Sequence, residues 1–255
     1  VTPLERDYSP STRVDSIAAE IERYRDSSAA AAALGHDVLQ YGDHPDEFAV
    51  VVRPAERRHL HVFVHGGYWQ ELSAWDSLGP ALGWRNDPRT VFAAINYSLA
   101  PRADISTMIG QCRRALDALH HRYRPTSLTL SGSSAGAHLA AHTAIGTAVQ
   151  LDLVVLLSGV YNLTPLVSTY INDALGLTSV TARECSVPFD VLPASPVLVA
   201  HGDNETPAFI GQSAALAEAW GAELIEVSGR NHFDVVFDLA QLDSPTRRAP
   251  APRSP

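Results

Sequence analysis

Leu128-Thr129-Leu130-Ser131-Gly132-Ser133-Ser134-Ala135-Gly136-Ala137-His138-Leu139 passes from an apolar strand pattern, through a run of small side chains, into a helical pattern. Gly132 to Gly136 has the form G-x-S-x-G. Such a pentapeptide is weak evidence by itself in a chain rich in Ala and Gly. Between a strand and a helix it predicts a nucleophile elbow, a strained strand-to-helix turn that lifts the Ser134 hydroxyl clear of a sheet. The neighbours of Ser134 must be small for the chain to turn so sharply. The helix N-terminus beside it favours developing negative charge.

Working outward, strands are expected at 48–53, 59–64, 90–95, 127–131, 151–157, 197–201 and 222–227. Helices are expected at 14–34, 76–84, 105–123, 134–145, 206–220 and 233–239. The near-continuous apolar run at 151–157 suits a strand covered on both faces. Strands that alternate with helices predict a doubly wound, mostly parallel sheet, that is, an α/β-hydrolase fold. Residues 1–243 read as a single domain. Residues 163–193 break the rhythm and are expected to form small helices capping the sheet edge that carries the site. The Pro- and Arg-rich residues 244–255 are expected to be a disordered tail.

The preceding strand ends in His65-Gly66-Gly67-Tyr68-Trp69. This is where the fold places its second oxyanion donor. The expected hole comprises the N–H groups of Gly67, Tyr68 and Ala135, with Gly66 shaping the turn. The triad order Ser, acid, His selects His232, in Gly229-Arg230-Asn231-His232-Phe233, as the base. For the acid, Gly202-Asp203-Asn204-Glu205 offers two carboxylates. The acid three residues after the glycine, Glu205, is preferred, with Asp203 as the alternative. His138 and His142 stand i, i+4 on one helix but lack the glutamate of H-E-x-x-H, so packing is expected of them rather than zinc. His201 and the pair His120-His121 also receive local, structural readings.

Composition narrows the classes. The net charge of −9 argues against nucleic acid, which needs a basic face. No apolar run approaches the roughly 20 residues that span a bilayer. The charged N-terminal residues lack a signal-peptide core, so a cytoplasmic protein with no membrane partner is expected. Cys112 and Cys185 do not form a disulfide framework. Every basic residue is arginine, which rules out a lysine Schiff base and lysine-bound pyridoxal phosphate. No metal or organic cofactor is expected.

Beyond the elbow, His65-Gly66-Gly67-Tyr68-Trp69 resembles the HGGxW motif of the arylformamidases, or kynurenine formamidases. Tyr8-Ser9-Pro10-Ser11, Asn96-Tyr97-Ser98-Leu99-Ala100-Pro101 and Asn231-His232-Phe233 are similar to further segments of that family. So are Ser158-Gly159-Val160-Tyr161-Asn162-Leu163 and Asn172-Asp173-Ala174-Leu175-Gly176-Leu177, as cap segments. Glu205-Thr206-Pro207-Ala208-Phe209 resembles the family's D-S-P-E-F turn and aligns Glu205 with its acid. The chain departs from the family in having glutamate for the usual aspartate, Ala208 for a common glutamate and Ser98 for a frequent arginine. The resemblance implies hydrolysis of N-formyl-L-kynurenine or a related aryl formamide. Trp69, Tyr68, Tyr161 and Phe233 are candidate walls for an aryl group. The alternatives are an esterase for small aryl esters, an acyltransferase that hands an aryl acyl group to an acceptor or carrier protein, and a non-catalytic binding protein. A homodimer is left open.

Overall fold

The computed structural model describes residues 1–53 and 59–248. Its centre is an eight-stranded sheet: β1 (His36–Gln40), β2 (Phe48–Val52), β3 (His59–Val64), β4 (Thr90–Ile95), β5 (Ser127–Ser133), β6 (Leu153–Leu157), β7 (Val197–Asn204) and β8 (Glu223–Asn231). The spatial order is β1-β2-β4-β3-β5-β6-β7-β8. β1 and β2 pair antiparallel, as do β2 and β4, and every later pairing is parallel.

Alternation along each strand builds two cores. Val51, Leu60, Val62, Val64, Leu130 and Leu156 face one layer. Val50, Val52, Phe63, Phe92, Val155 and Leu157 face the other. A period of two and burial on both faces leave little room for polar residues in the central strands. The helices are α1 (Pro3–Asp7), α2 (Ile17–Ala32), α3 (Ile105–Tyr123), α4 (Ala135–Gly146), α5 (Asn172–Leu175), α6 (Ser179–Cys185), α7 (Pro207–Trp220), α8 (Leu239–Leu242) and α9 (Pro245–Arg248). Residues of α3, α4 and α7 fill the first core, and residues of α2 and α8 the second. The sheet is therefore doubly wound, and the α/β-hydrolase architecture expected from sequence is present.

The departures have local causes. β1 was not anticipated because it is an edge strand with exposed, mostly polar side chains and no alternation to read. The helix expected at 76–84 is instead two 3₁₀ segments, Trp75–Ser77 and Gly79–Trp84; Gly79, Pro80 and Gly83 work against a regular α-helix. The helix expected at 233–239 is a 3₁₀ turn, Val235–Asp238, followed by the short α8. α2 begins at Ile17, where the Ser16 hydroxyl accepts from the N–H of Ala19. Of the expected tail, α9 is helical and residues 249–255 lie outside those described. Among the described residues, no helix is long and apolar enough to cross a membrane.

Candidate active site

β5 delivers the chain into the elbow. Ser134 sits at φ +56°, ψ −122°, a conformation that non-glycine residues adopt only when their surroundings impose it. Its N–H donates to the carbonyl of Leu157 (2.8 Å), which ties the turn to the end of β6. At Gly136 a Cβ would stand 2.1 Å from the Val64 carbonyl oxygen, so only glycine lets α4 pack this closely on β3.

β3 ends at the glycine turn. His65 is buried and stacks on Tyr97, with ring centroids 4.3 Å apart, and Tyr97 Oη donates to the His65 carbonyl (2.9 Å). Burial pushes the His65 imidazole down to about 4, so it is neutral at physiological pH and acts as a brace. Gly67 has φ +94°, and a Cβ there would meet the Glu71 carbonyl at 2.2 Å. The Gly67 carbonyl accepts from the N–H groups of Gln70 and Glu71 (2.9 Å each). Gly66 lies against the elbow: a Cβ there would come within 3.1 Å of Ser134 Cβ. Among the described residues, no acceptor pairs with the N–H of Gly67 or Tyr68. Ala135 opens α4 with its N–H at the helix N-terminus.

The two carboxylates at the end of β7 part company. Glu205 is buried, and its Oε2 accepts from His232 Nδ1 at 2.9 Å. Its Oε1 accepts from Ser158 Oγ (2.5 Å) and the Gly202 N–H (2.7 Å). Burial alone would raise this carboxyl. The His232 charge and the bonds from His232, Ser158 and Gly202 outweigh it and hold the group below its ordinary value, hence ionised. Asp203 is exposed and accepts from the Gly229 N–H (2.9 Å) and Ser228 Oγ (3.2 Å), joining the end of β7 to β8. Asn231 Oδ1 accepts from the N–H groups of Phe233 (2.7 Å) and Asp234 (3.1 Å), which sets the loop that carries His232. His232 packs on Phe209 at 4.3 Å.

Ser134 and His232 both line a cavity of about 290 Å³, together with Gly66, Gly67 and Tyr68. No hydrogen bond joins Ser134 Oγ to His232; catalytic contacts often tighten only around substrate. A hydroxyl, an imidazole held by a buried carboxylate, and free N–H groups at one cleft are the parts needed for acyl transfer.

Two expected walls fall elsewhere. Trp69, at φ +60°, turns its indole inward; it is fully buried and meets His138 edge-on at 5.2 Å. Tyr161 is also fully buried, beneath Gln212, whose Oε1 accepts from the Tyr161 N–H (3.1 Å). Neither reaches the cavity, whereas Tyr68 and Phe233 do. Of the cap expected at 163–193, Tyr170 and Ile171 reach the cleft. Much of the remaining wall comes from Pro10, Ser11 and α2. That role of α2 was missed, although Ile17, Ile21 and Tyr24 recur at helical spacing and could have signalled a face turned to a partner. Ser158, read from sequence as part of the cap, instead directly follows β6 and donates to Glu205. His138 and His142 both direct Nε2 at the Cys185 carbonyl (2.7 and 3.0 Å), which anchors α6.

Among the described residues, one group could hold a metal ion: His59, His61 and Asp243, all buried. The contacts are those of a hydrogen-bonded cluster. His59 Nε2 and His61 Nδ1 donate to Asp243 Oδ2 at 2.8 and 2.6 Å, and Thr129 donates to Oδ1 at 2.8 Å. Arg248 also pairs with Oδ1, and its positive charge opposes a second cation there. The cluster pins the C-terminal segment to β3 and β5. Removing one partner of a buried charge pair costs about 3–5 kcal/mol, so Asp243→Ala should lower unfolding stability by that amount in urea titrations. Burial alone would raise the Asp243 carboxyl, but His61 and His59 hold it well below the carboxylate range; burial holds His61 down despite Asp243. For both groups the unfolded chain binds more protons. Stability is thus complete above about pH 6.5, the ordinary imidazole value, and falls as pH drops through the carboxylate range. An acid limb equally steep in the variant would remove the cluster from this account.

The sequence profile of the alpha/beta hydrolase fold matches residues 61–187. A kynurenine formamidase of Salmo salar is 31% identical, over 94% of this chain and 92% of its own length. One of Danio rerio is also 31% identical, over 92% and 90%. A crystal structure of a Silicibacter protein, provisionally labelled a thioesterase, superposes with a TM-score of 0.87 at 26% identity, covering 97% of this chain and 98% of that one. With these relatives and this site, the chain is a hydrolase and belongs to the arylformamidase, or kynurenine formamidase, family of α/β-hydrolases.

Proposed function

We propose that the protein hydrolyses an aryl formamide of the N-formylkynurenine type through a formyl-enzyme on Ser134. The observation that carries this reading is the bond from His232 to buried Glu205, with His232 lining a cleft that is also lined by Ser134 and by Gly67 and Tyr68, whose N–H groups have no acceptor among the described residues. Kinship with the fish kynurenine formamidases supports the choice of a formamide.

In the first step His232 takes the Ser134 proton as Oγ bonds to the formyl carbon. The oxyanion receives hydrogen bonds from the N–H groups of Gly67, Tyr68 and Ala135. The C–N bond then breaks, and the arylamine leaves with the proton from His232. Water, deprotonated by the same imidazole, attacks the formyl ester. Formate departs and Ser134 recovers its proton. Each oxyanion donor is worth about 3–4 kcal/mol in the transition state. The cycle calls for neither a metal nor an organic cofactor.

Tyr68 stands in the turn itself, and its Oη donates to the Tyr8 carbonyl (2.5 Å), which fixes the ring. The space beside Ser134 therefore suits a one-carbon acyl group. Comparing kcat/KM for N-formylkynurenine with a p-nitrophenyl ester series tests this. The formamide should exceed an octanoyl ester by about 100-fold, the cost of a few methylenes without a pocket. Undetectable formamide turnover beside brisk ester cleavage, or transfer to an added acceptor in place of water, would replace this reading with the esterase or the acyltransferase.

A further inference from the structure

His232 leaves the sheet at its edge. β8 is the outermost strand, paired with β7, and it ends at Asn231, one residue before the imidazole. A loop at such an edge has no further strand to hold it, and loops are the mobile part of a fold. The ring itself is placed by near neighbours: Nδ1 meets Glu205 at 2.9 Å, and the rings of Phe209 and Phe233 pack on it at 4.3 and 5.5 Å. The backbone that carries the ring is held from α2, 209 to 211 residues earlier in the chain. Tyr24 Oη donates to the Phe233 carbonyl (2.5 Å), Glu20 Oε1 accepts from Asn231 Nδ2 (3.1 Å), and Arg23 donates to Asp234 Oδ2 (3.3 Å). Glu20, Arg23 and Tyr24 stand at i, i+3 and i+4, one face of the helix. The residues that they hold flank His232 on both sides. Arg23 is half exposed, and such a pair contributes little. Tyr24 is the firmer anchor. Burial raises its hydroxyl above the ordinary value, so it stays protonated and able to donate.

We propose that Tyr24 is a positioning residue of the reaction. Through the Phe233 carbonyl it fixes the backbone on one side of His232, and Glu20 fixes the other side through Asn231. Together they set how closely Nε2 approaches Ser134 Oγ. The ring torsions cannot replace this hold. With Nδ1 tied to Glu205, the imidazole reaches toward the serine only as far as its backbone allows. This inference rests on the reading of Ser134 as nucleophile and His232 as base, and not on the identity of the acyl group. Tyr24 also lines the cleft with its ring, which meets Phe237 edge-on at 6.0 Å. Tyr24→Phe keeps that ring and deletes only the hydroxyl, so placement of the base separates from the shape of the cleft.

A displacement of 1 Å between reacting groups costs about 100-fold in rate, so loss of one of two anchors should lower kcat by about tenfold in Tyr24→Phe, with KM within about twofold of wild type. N-formylkynurenine, p-nitrophenyl acetate and a dialkyl p-nitrophenyl phosphate are the three probes. The phosphate reacts once with Ser134 and needs the same base, so its rate of inactivation should fall by the same factor as kcat. Rates are read well below the thermal midpoint of each variant, so that unfolding does not enter. Glu20→Ala should act in the same sense, and Glu20→Gln, whose amide oxygen can still accept from Asn231, should recover most of the loss. Absence of formamide turnover, with the tenfold effect intact on the acetate and the phosphate, defeats the formamide reading and upholds this one. Rates within about twofold of wild type in Tyr24→Phe, whatever its midpoint, overturn the role given to Tyr24. So does a raised KM with an unchanged rate of inactivation, which would make Tyr24 a wall of the cleft and nothing more. A Glu20→Gln protein as slow as Glu20→Ala overturns the second anchor.

Discussion

Ser134→Ala should lower kcat on any substrate of this enzyme by about 10⁶-fold and leave a folded protein that no longer reacts with an organophosphate. In the proposed mechanism the Ser134 hydroxyl, held on the strained turn against Gly66, is the nucleophile. Ser133 precedes it on the end of β5, one residue short of the turn. A second substitution at the same position reports on the strain. At φ +56°, ψ −122° a side chain costs of order 1–3 kcal/mol, and glycine avoids most of that. Ser134→Gly should therefore be as inactive as Ser134→Ala yet unfold at a higher temperature than either that variant or the wild type. The difference would measure what the fold gives up to present the hydroxyl. Labelling of Ser133 in the Ser134→Ala protein, or loss of stability in Ser134→Gly, would mean that the turn serves another purpose.

Much of the fold was legible because its signals are local and steric. The elbow needs small residues where two backbones approach, and the central strands need apolar side chains on both faces. Gly132 to Gly136 and the run Leu153 to Leu157 display those needs directly. The glycine turn after β3 was readable for the same reason. Three kinds of feature were not. β1 earns its place by pairing with β2 alone, so its solvent-facing side chains carry no pattern. Trp69 and Tyr161 were given to the cleft on residue type, but direction depends on backbone dihedrals that no motif spells out; φ +60° sends Trp69 inward. Asp243 closes the expected domain, with no motif around it to mark a buried carboxylate. Its partners His59, His61 and Thr129 come from β3 and β5, more than 110 residues away. α2 shows the same limit, because a helix that walls the cleft from the far end of the chain is visible only once the sheet is assembled. The candidate site was legible where chemistry demands a residue type at a fixed offset from a turn, and obscure where it depends on which distant surface closes over it.

Glu205→Gln should lower kcat by about 10⁴-fold with little change in KM, whereas Asp203→Asn should stay within tenfold of wild type. The asymmetry follows from what each oxygen touches. Glu205 Oε2 can only accept, so it keeps the proton of His232 on Nδ1; in the proposed mechanism Nε2 is then the atom that takes the Ser134 proton. A glutamine in the same pocket would keep its oxygen toward the Ser158 hydroxyl and the Gly202 N–H, the donors that Oε1 now serves. Its amide nitrogen would then face His232 Nδ1 as a donor. That selects the tautomer protonated on Nε2, which cannot act as base. Binding of substrate is untouched, because Glu205 acts through the imidazole and not on the ligand; hence the loss in kcat at constant KM, which a merely structural role would not produce. Ser158→Ala should show the same signature on a smaller scale, because it removes one of the donors that aim the carboxylate. Asp203 gives a different result, since its two partners, Ser228 and Gly229, lie at the surface, and losing them costs about 1 kcal/mol of local stability. Steady-state kinetics on the three variants, with thermal midpoints measured alongside, decides the matter. A collapse of kcat in Asp203→Asn with Glu205→Gln near wild type would transfer the role to Asp203 and require the end of β7 to rearrange around substrate.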